Sequence, residues 1–247
     1  MKRKKWVLGT VVLAMIAMGL SGCGSSSKNT TTSTTTQTPI TSVGRTLSDV
    51  TLKAKLTLSD GSTITAPTAK ICRRIGGLSL SSGANAVSGN ALSIKDLFAA
   101  EGVHDMAIYI EQNGKKYIWA TPNVTISKEK DVNLGAIVLC EIKRVNVAIK
   151  TSESLDGLRY NIGKALPSVM GSFLNEDTQS AGVDSTTGEL TLTISCDYTV
   201  GNALITISNL VGTYADNTKV NFSTLTFSGP ITNTTTSLGS KSLTIVP

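Results

Sequence analysis

Histidine, aromatic residues and charged residues are all scarce in this chain. One histidine occurs in 247 residues, aromatic residues make up 4% and charged residues 16%. The spacings Cys-x-x-Cys and His-x-x-x-His that serve zinc do not occur. The Gly-x-Ser-x-Gly elbow, the phosphate-binding glycine loop and the alternating oxygen ligands of a calcium loop are also missing. The sequence therefore predicts no catalytic residues, no metal and no cofactor.

The single histidine, His104, lies between a predicted helix and a predicted strand and is followed by Asp105. Such a pair can orient a base beside a serine nucleophile. Because no elbow motif is present, we interpret His104 as a surface-loop residue. Carboxylate pairs that hydrolyse glycosides carry no sequence motif, so a hydrolase stays open as the least favoured function.

The N-terminus has the layout of a secretory signal. Residues 2–5 are all basic, and residues 6–20 are apolar and uncharged. This apolar run is shorter than the roughly 20 residues that a helix needs to cross a bilayer. We therefore predict a signal peptide over residues 1–22 rather than a permanent transmembrane helix.

The residues Leu20, Ser21, Gly22 and Cys23 end that signal, and together they resemble the lipobox of bacterial lipoproteins. The resemblance implies cleavage before Cys23, lipid on its thiol and an acyl chain on its amine. Several acyl chains give stable attachment, so the membrane is the first expected partner. In the lipoproteins of enteric bacteria an aspartate directly after the cysteine retains the protein at the inner membrane. Here that position is Gly24, so the resemblance implies the outer membrane of the cell envelope. The sequence does not decide between its periplasmic and cell-surface sides.

Removal of the signal changes the charge balance. The full chain has 23 Lys and Arg against 17 Asp and Glu, and four of the bases lie in residues 2–5. The remaining 19 bases and 17 acids give a net charge of +2. A nucleic-acid partner would require a clustered basic face, so nucleic acid is not an expected partner.

Residues 23–45 form a predicted tether. Eleven of the 15 residues from 24 to 38 are Ser or Thr, and none is apolar. Such a segment buries too little surface to offset its ordering entropy, so it is predicted to be disordered. Whether it is also glycosylated stays open.

Residues 46–140 are predicted to form a β-sandwich. Val50, Leu52, Ala54, Leu56 and Leu58 alternate with polar residues, which is typical of a half-buried strand. Asp60-Gly61 predicts a hairpin turn with a return strand at Ile64, and Asn113-Gly114 predicts another. We also expect a helix from Ser93 to Gly102 and a long loop over residues 75–92.

The segments 114–120 and 132–139 resemble the end of a transthyretin-like or carboxypeptidase-regulatory-like sandwich. This resemblance implies a structural or binding module. Tyr117 and Trp119 are two residues apart in a predicted strand and so point to the same face. If they are exposed, they favour glycan binding; if they are buried, they belong to the core.

Residues 141–247 are predicted to form a second β-sandwich, in tandem with the first and without a flexible linker. The order of residues 158–162, Leu166-Pro167 and the strand 189–195 resembles a cohesin-type sandwich. The resemblance implies a protein partner or a glycan ligand. A long loop over residues 170–187 and the loop over 75–92 are the predicted contact regions.

Three cysteines remain after Cys23. Cys140 and Cys196 lie in register with apolar strand residues and are predicted to face the core. Cys72 and Cys140 fall in the same predicted domain and are the best candidates for a disulfide. A reactive thiol at Cys196 is the less favoured interpretation.

The fold class predicted is all-β, with two sandwiches after a signal peptide and a linker. The favoured function is a non-enzymatic, lipid-anchored envelope protein that binds a protein partner, a polysaccharide or the matrix. The alternative is a structural or assembly subunit of an envelope or extracellular complex.

Overall fold

A computed structural model of the chain describes residues 44–66, 68–75 and 78–246, with the side chains of all of these except residues 78–86. The described residues form fourteen strands in two sheets, with two short 3₁₀ helices at Leu47–Asp49 and Ser168–Phe173. The predicted all-β fold class is confirmed.

The first seven strands close into a ring, which we call the barrel. Neighbouring strands follow the order β1-β4-β3-β2-β5-β6-β7, and β7 pairs back to β1 in parallel. The predicted sandwich over residues 46–140 therefore takes the form of a closed ring of strands. Their bounds are β1 Leu52–Leu58, β2 Thr68–Ile75, β3 Leu78–Ser88, β4 Ala91–Ile94, β5 Gly102–Gln112, β6 Lys115–Ile126 and β7 Val132–Thr151.

The barrel core is built by the alternation visible in the sequence. In β1 every second side chain is buried, from Leu52 to Leu58, and those between them are exposed. The buried side chains pack with Ile71 of β2, Ile108 of β5 and Leu139 of β7. Because successive side chains of a strand point to opposite faces, a period of two places one face inside the ring. The predicted strand is confirmed over residues 52–58.

The remaining strands form a sandwich together with the second half of β7. One sheet runs β9-β10-β7-β14, and the facing sheet contains β8, β11, β12 and β13. Both sheets contribute to one apolar core, which includes Val147, Cys196, Ile205 and Phe227. The strand bounds are β8 Gly157–Lys164, β9 Thr178–Val183, β10 Leu190–Thr199, β11 Gly201–Thr213, β12 Lys219–Asn221, β13 Leu225–Ile231 and β14 Ser237–Ser242.

Strand β7 belongs to both units. It pairs with β6 at Cys140 and Glu141, and its pairing with β10 runs from Ile142 to Thr151. The predicted domain boundary between residues 140 and 141 therefore falls inside a continuous strand.

The 3₁₀ helix Ser168–Phe173, which we call the covering helix, packs on the outer face of the barrel. Val169 and Met170 are buried against Ala107 and Ile118. The ring of Phe173 stacks on that of Tyr109 with centroids 5.0 Å apart. A segment between two sandwich strands thus covers apolar barrel surface.

The predicted helix from Ser93 to Gly102 is wrong. Ser93 belongs to β4 and pairs with Lys53 of β1. Asp96 then has a φ of +57°, which is outside the right-handed helical region. Leu97 and Phe98 are buried in the barrel core, so tertiary packing holds this segment in an irregular conformation.

The predicted loop over residues 75–92 is also wrong, because most of it is β3, which pairs with β2 and β4. The predicted return strand at Ile64 is absent. There the side-chain oxygen of Gln112 accepts hydrogen bonds from the backbone N–H groups of Thr65, at 2.9 Å, and Ala66, at 3.2 Å. A buried amide side chain therefore replaces strand pairing.

Candidate binding cleft

Strands β6 and β7 are consecutive in sequence but separate soon after they pair. Their register contains two pairs, Tyr117 with Glu141 and Ile118 with Cys140. From Trp119 onward β6 pairs with β5 alone, and residues 132–139 of β7 pair with β1. The hairpin is therefore splayed between its paired end and the turn at residues 127–131.

Backbone irregularities on both strands explain the splaying. In β6, Asn123 has a φ of +63° and follows Pro122, and the pairing with β5 shifts register at this point. In β7, Gly135 has a φ of +69°, and the pairing with β1 shifts register beside it. Such bulges bend a strand and interrupt its ladder. Proline also removes a donor from an edge.

The space between the two strands is a cleft of about 560 Å³. Its walls are the strand segments 119–125 and 132–138, with Lys130 and Asp131 of the turn closing one end. Ligand pockets in proteins commonly measure about 300–1,000 Å³, so this cleft has the size of a binding site.

The floor of the cleft is apolar and continuous with the barrel core. Trp119, Val124 and Leu134 are partly buried and pack against that core. On the rim, Val138 is 37% exposed. Tyr117, by contrast, is fully buried, and its hydroxyl donates a 2.9 Å hydrogen bond to Asp60. Of the two aromatic residues singled out in the sequence, Trp119 therefore lines the cleft and Tyr117 belongs to the core.

The turn end of the cleft is organised by Asp131. Its carboxylate accepts a 3.1 Å hydrogen bond from the N–H of Thr51, lies 3.3 Å from Nζ of Lys53 and pairs with Arg45. The hydrogen bond from Thr51, followed by the basic partners, lowers the pKa of Asp131. The carboxylate is therefore ionised and already engaged by three donors, which indicates a structural role in fixing the turn.

This geometry suits a ligand that is extended and partly apolar. Over residues 119–126 and 132–139, the described structure shows no backbone pairing between β6 and β7. Strand edges of this kind can pair with an added segment. The indole of Trp119 also offers an aromatic surface in the cleft. The sequence contained a signal for this site, namely Pro122-Asn123 and Gly135 inside otherwise regular strand patterns.

The expected disulfide between Cys72 and Cys140 is wrong, because Cys72 is a free, buried thiol. Its Sγ lies 3.5 Å from Oγ of Ser172 in the covering helix. In the order β2-β5-β6-β7, two strands separate the two cysteines. Three strand spacings put them about 14 Å apart, and a disulfide requires Cα atoms within about 7 Å.

Cys140 and Cys196 are both buried, with relative exposures of 2% and 0%. Cys196 belongs to the sandwich core as predicted, whereas Cys140 follows Leu139, which faces the barrel core, and so lies on the opposite face of β7. Burial raises the pKa of the Cys196 thiol to about 11. A thiol of this kind is protonated at neutral pH and is a poor nucleophile. Packing is therefore the role that the structure supports for Cys196.

The prediction that His104 lies in a surface loop is wrong. His104 is part of β5 and completely buried, with its ring edge-on to Phe98 at 5.6 Å. Its Nε2 lies 3.1 Å from the carbonyl oxygen of Ala100. The alternation of Met106, Ile108 and Ile110 extends back to residue 104, and this was the signal for a core position.

The predicted contact loop over residues 170–187 is largely ordered. It contains the end of the covering helix and all of β9. The predicted lipidation site, Cys23, lies outside the described residues. The predicted tether over residues 23–45 also lies outside them, except for residues 44 and 45.

No group of three or more His, Cys, Asp and Glu side chains is placed to hold a metal ion in the part of the chain that the structure describes. None of the helices within residues 44–66, 68–75 and 78–246 is long and apolar enough to cross a membrane.

No protein-family model matches the chain, and no curated protein matches its sequence. The structure is distantly similar to that of a candidate adhesin from Bacteroides ovatus, with 12% identity, a TM-score of 0.28, and coverage of 73% of this chain and 82% of the other. A streptococcal ancillary pilin matches with 12% identity and a TM-score of 0.25, over 78% of this chain and 62% of the pilin.

The major pilin SpaD from Corynebacterium diphtheriae matches with 10% identity and a TM-score of 0.25. That match covers 74% of this chain and 65% of SpaD, so the chain spans less than two thirds of either pilin. Because these scores do not define a shared architecture, the function must be inferred from the chain's own geometry.

Proposed function

We propose that this protein is a non-enzymatic binding module of the bacterial cell envelope, anchored to the outer membrane by lipid on Cys23. Its binding site is the cleft between β6 and β7, and its ligand is an extended segment of a protein partner. The observation that carries the proposal is the splayed hairpin, in which two strand segments lie unpaired with each other above an apolar floor.

An extended segment fits the cleft because its backbone can hydrogen-bond to the facing edges of β6 and β7 at once. A strand inserted between residues 119–126 and 132–139 would hydrogen-bond to β6 on one side and β7 on the other. Each wall is eight residues long, which corresponds to about 26 Å of extended chain. Pro122 offers no donor, so pairing on the β6 side would be interrupted at that position.

The chemistry of the ligand follows from the cleft lining. Side chains of an inserted strand alternate between the barrel interior and the solvent. Those pointing inward would contact Trp119, Val124 and Leu134, which favours apolar residues at every second position. We expect a ligand of about six to eight residues with apolar and polar residues in alternation.

A peptide library selected for binding to the protein tests this proposal. The enriched peptides should show alternation, and a Val138→Lys substitution on the cleft rim should weaken their binding at least tenfold. Leu204→Lys is the matched control, because Leu204 is 42% exposed on a sandwich strand against 37% for Val138. Equal loss in both variants, or peptides without alternation, would contradict the proposal.

A polysaccharide ligand is the second candidate, favoured by the position of Trp119 in the cleft. The chain has two tryptophans, and the other, Trp6, lies in the predicted signal peptide. The fluorescence of the processed protein would therefore report on Trp119 alone. A shift on addition of envelope polysaccharides, lost in Val138→Lys but not in Leu204→Lys, would favour glycan binding over peptide binding.

A further inference from the structure

The chain enters the folded part at the turn end of the cleft. Arg45 pairs with Asp131 of the turn, and the N–H of Thr51 donates a 3.1 Å hydrogen bond to the same carboxylate. The N–H of Val132 in turn donates a 2.9 Å hydrogen bond to the carbonyl oxygen of Thr51. The segment that follows the predicted tether is therefore fixed beside the turn at residues 127–131.

The sandwich lies at the opposite end of β7 from this entry point. Strands β1 and β7 run parallel, from Leu52 paired with Val132 to Leu58 paired with Leu139. At Ile142, β7 enters its pairing with β10 of the sandwich. Strand β7 has 20 residues and spans up to about 66 Å. The order along it is therefore the entry of the chain, then the cleft, then the sandwich.

The proposed lipid on Cys23 would put the cleft on the membrane side of the folded part. Residues 23–43 separate that lipid from Gly44, the first described residue. Even fully extended, these 21 residues span at most about 75 Å. The cleft begins where this segment joins the folded part, and the sandwich follows beyond it. A ligand held on the same membrane can therefore reach the cleft without passing the sandwich, whereas a ligand on another cell meets the sandwich first.

We propose that the partner of the cleft is a protein attached to the same membrane, and that its extended segment binds while both proteins are anchored. This inference rests on the proposed function of the cleft and names where the partner is held. A segment of eight residues makes a small contact. Confinement of both proteins to one membrane raises their effective concentration, so a short segment of modest affinity is sufficient.

Photo-cross-linking of the full chain in expressing cells tests the proposal. Val138→benzoylphenylalanine places a photoreactive group on the cleft rim and keeps the rim apolar. We expect an adduct with a protein that fractionates with the same membrane in cells lacking this chain. Leu204→benzoylphenylalanine is the matched control, because Leu204 is 42% exposed on a sandwich strand against 37% for Val138. The control should not form this adduct.

Release of the protein from the membrane supplies the decisive comparison. A second form of the Val138 variant carries Cys23→Ser and a secretory signal without a lipobox in place of residues 1–22. It exports the same folded part without lipid. At equal amounts of protein, the adduct yield should fall at least tenfold, because the shared membrane no longer raises the effective concentration. An undiminished yield, a partner that is not attached to this membrane, or no adduct in the anchored form would overturn the proposal.

Failure of this inference can be distinguished from failure of the proposed function. The purified anchored and released forms without the photoreactive group should bind the selected peptides with equal affinity. If the peptides bind neither form, the cleft is not a binding site and the proposed function is wrong. If they bind both forms while release leaves the adduct yield unchanged, the cleft binds an extended segment and only the attachment of its partner to the same membrane is wrong.

Discussion

At the scale of single residues, His104 combines complete burial with an incomplete set of hydrogen bonds. Its Nδ1 is buried and has no hydrogen-bond partner among the described residues. Burial lowers the pKa of His104, and the positive charge of Arg73 lowers it further, while the contact with the Ala100 carbonyl opposes them. The folded protein therefore favours the neutral imidazole.

This preference predicts a loss of stability in mild acid. The unfolded chain binds a proton on His104 near pH 6.5, whereas the folded chain resists it. Stability therefore falls as the pH drops below about 6.5, with a slope of up to about 1.4 kcal/mol per pH unit for one proton. Denaturant unfolding measured between pH 7.5 and 5 would show this slope.

His104→Gln is the control, because glutamine retains a donor for the Ala100 carbonyl and does not titrate. The chain has no other histidine. The pKa values of Asp60 and Asp131 are lowered from an ordinary 3.8, so these carboxylates stay ionised throughout this range. A variant that kept the full pH dependence of the wild type would rule out His104 as its source.

At the scale of elements, the covering helix shows how a short segment joins the two units. Val169 and Met170 are 0% and 5% exposed, although this helix has only six residues. Its stability comes from the barrel surface formed by Cys72, Ala107 and Ile118, since an isolated helix of this length is unstable in water.

Truncation of Met170 should therefore destabilise the whole protein. Met170→Ala removes buried apolar atoms and is expected to lower the free energy of unfolding by about 2 kcal/mol. Leu204→Ala, at a 42% exposed position, should change it by less than about 0.5 kcal/mol. Urea unfolding followed by circular dichroism measures both. If Met170→Ala left the free energy of unfolding unchanged, the covering helix would contribute no packing energy.

The strands were largely predictable from sequence because period-two alternation directly reflects burial. Residues 52–58 alternate strictly between buried and exposed, and in β10 Ile194 and Cys196 are buried while Ser195 between them is not. Asn113-Gly114 forms the expected turn with φ of +51° and +72°. The cleft was not predictable from sequence. It forms because residues 132–139 of β7 pair with β1, which is distant in sequence, and not with the neighbouring strand β6. β3 was missed because its Gly- and Ser-rich sequence has weak strand propensity.

At the scale of the whole molecule, β7 makes the barrel and the sandwich mechanically dependent on each other. Its first half closes the barrel against β1, and its second half lies in the larger sheet of the sandwich between β10 and β14. The two apolar cores are separate, but neither unit can lose β7 without disturbing the other. The covering helix adds a second connection.

We therefore predict that the barrel and the sandwich unfold in one cooperative transition. Ile205→Ala in the sandwich core should lower stability by about 2–5 kcal/mol. It should also lower the unfolding midpoint reported by Trp119, which packs against the barrel core. Leu56→Ala, in the barrel core, should lower the same midpoint and that of far-ultraviolet circular dichroism together.

Thermal unfolding followed by tryptophan fluorescence, circular dichroism and calorimetry distinguishes one cooperative transition from independent unfolding of the barrel and the sandwich. Coincident midpoints in every variant indicate one unit. Ile205 and Leu56 are both fully buried, so each substitution truncates a buried aliphatic side chain of four carbons, one in the sandwich core and one in the barrel core. If Ile205→Ala left the Trp119 midpoint unchanged while shifting a separate transition, the barrel would unfold independently. β7 would then have to break near residue 141 without disturbing its barrel half.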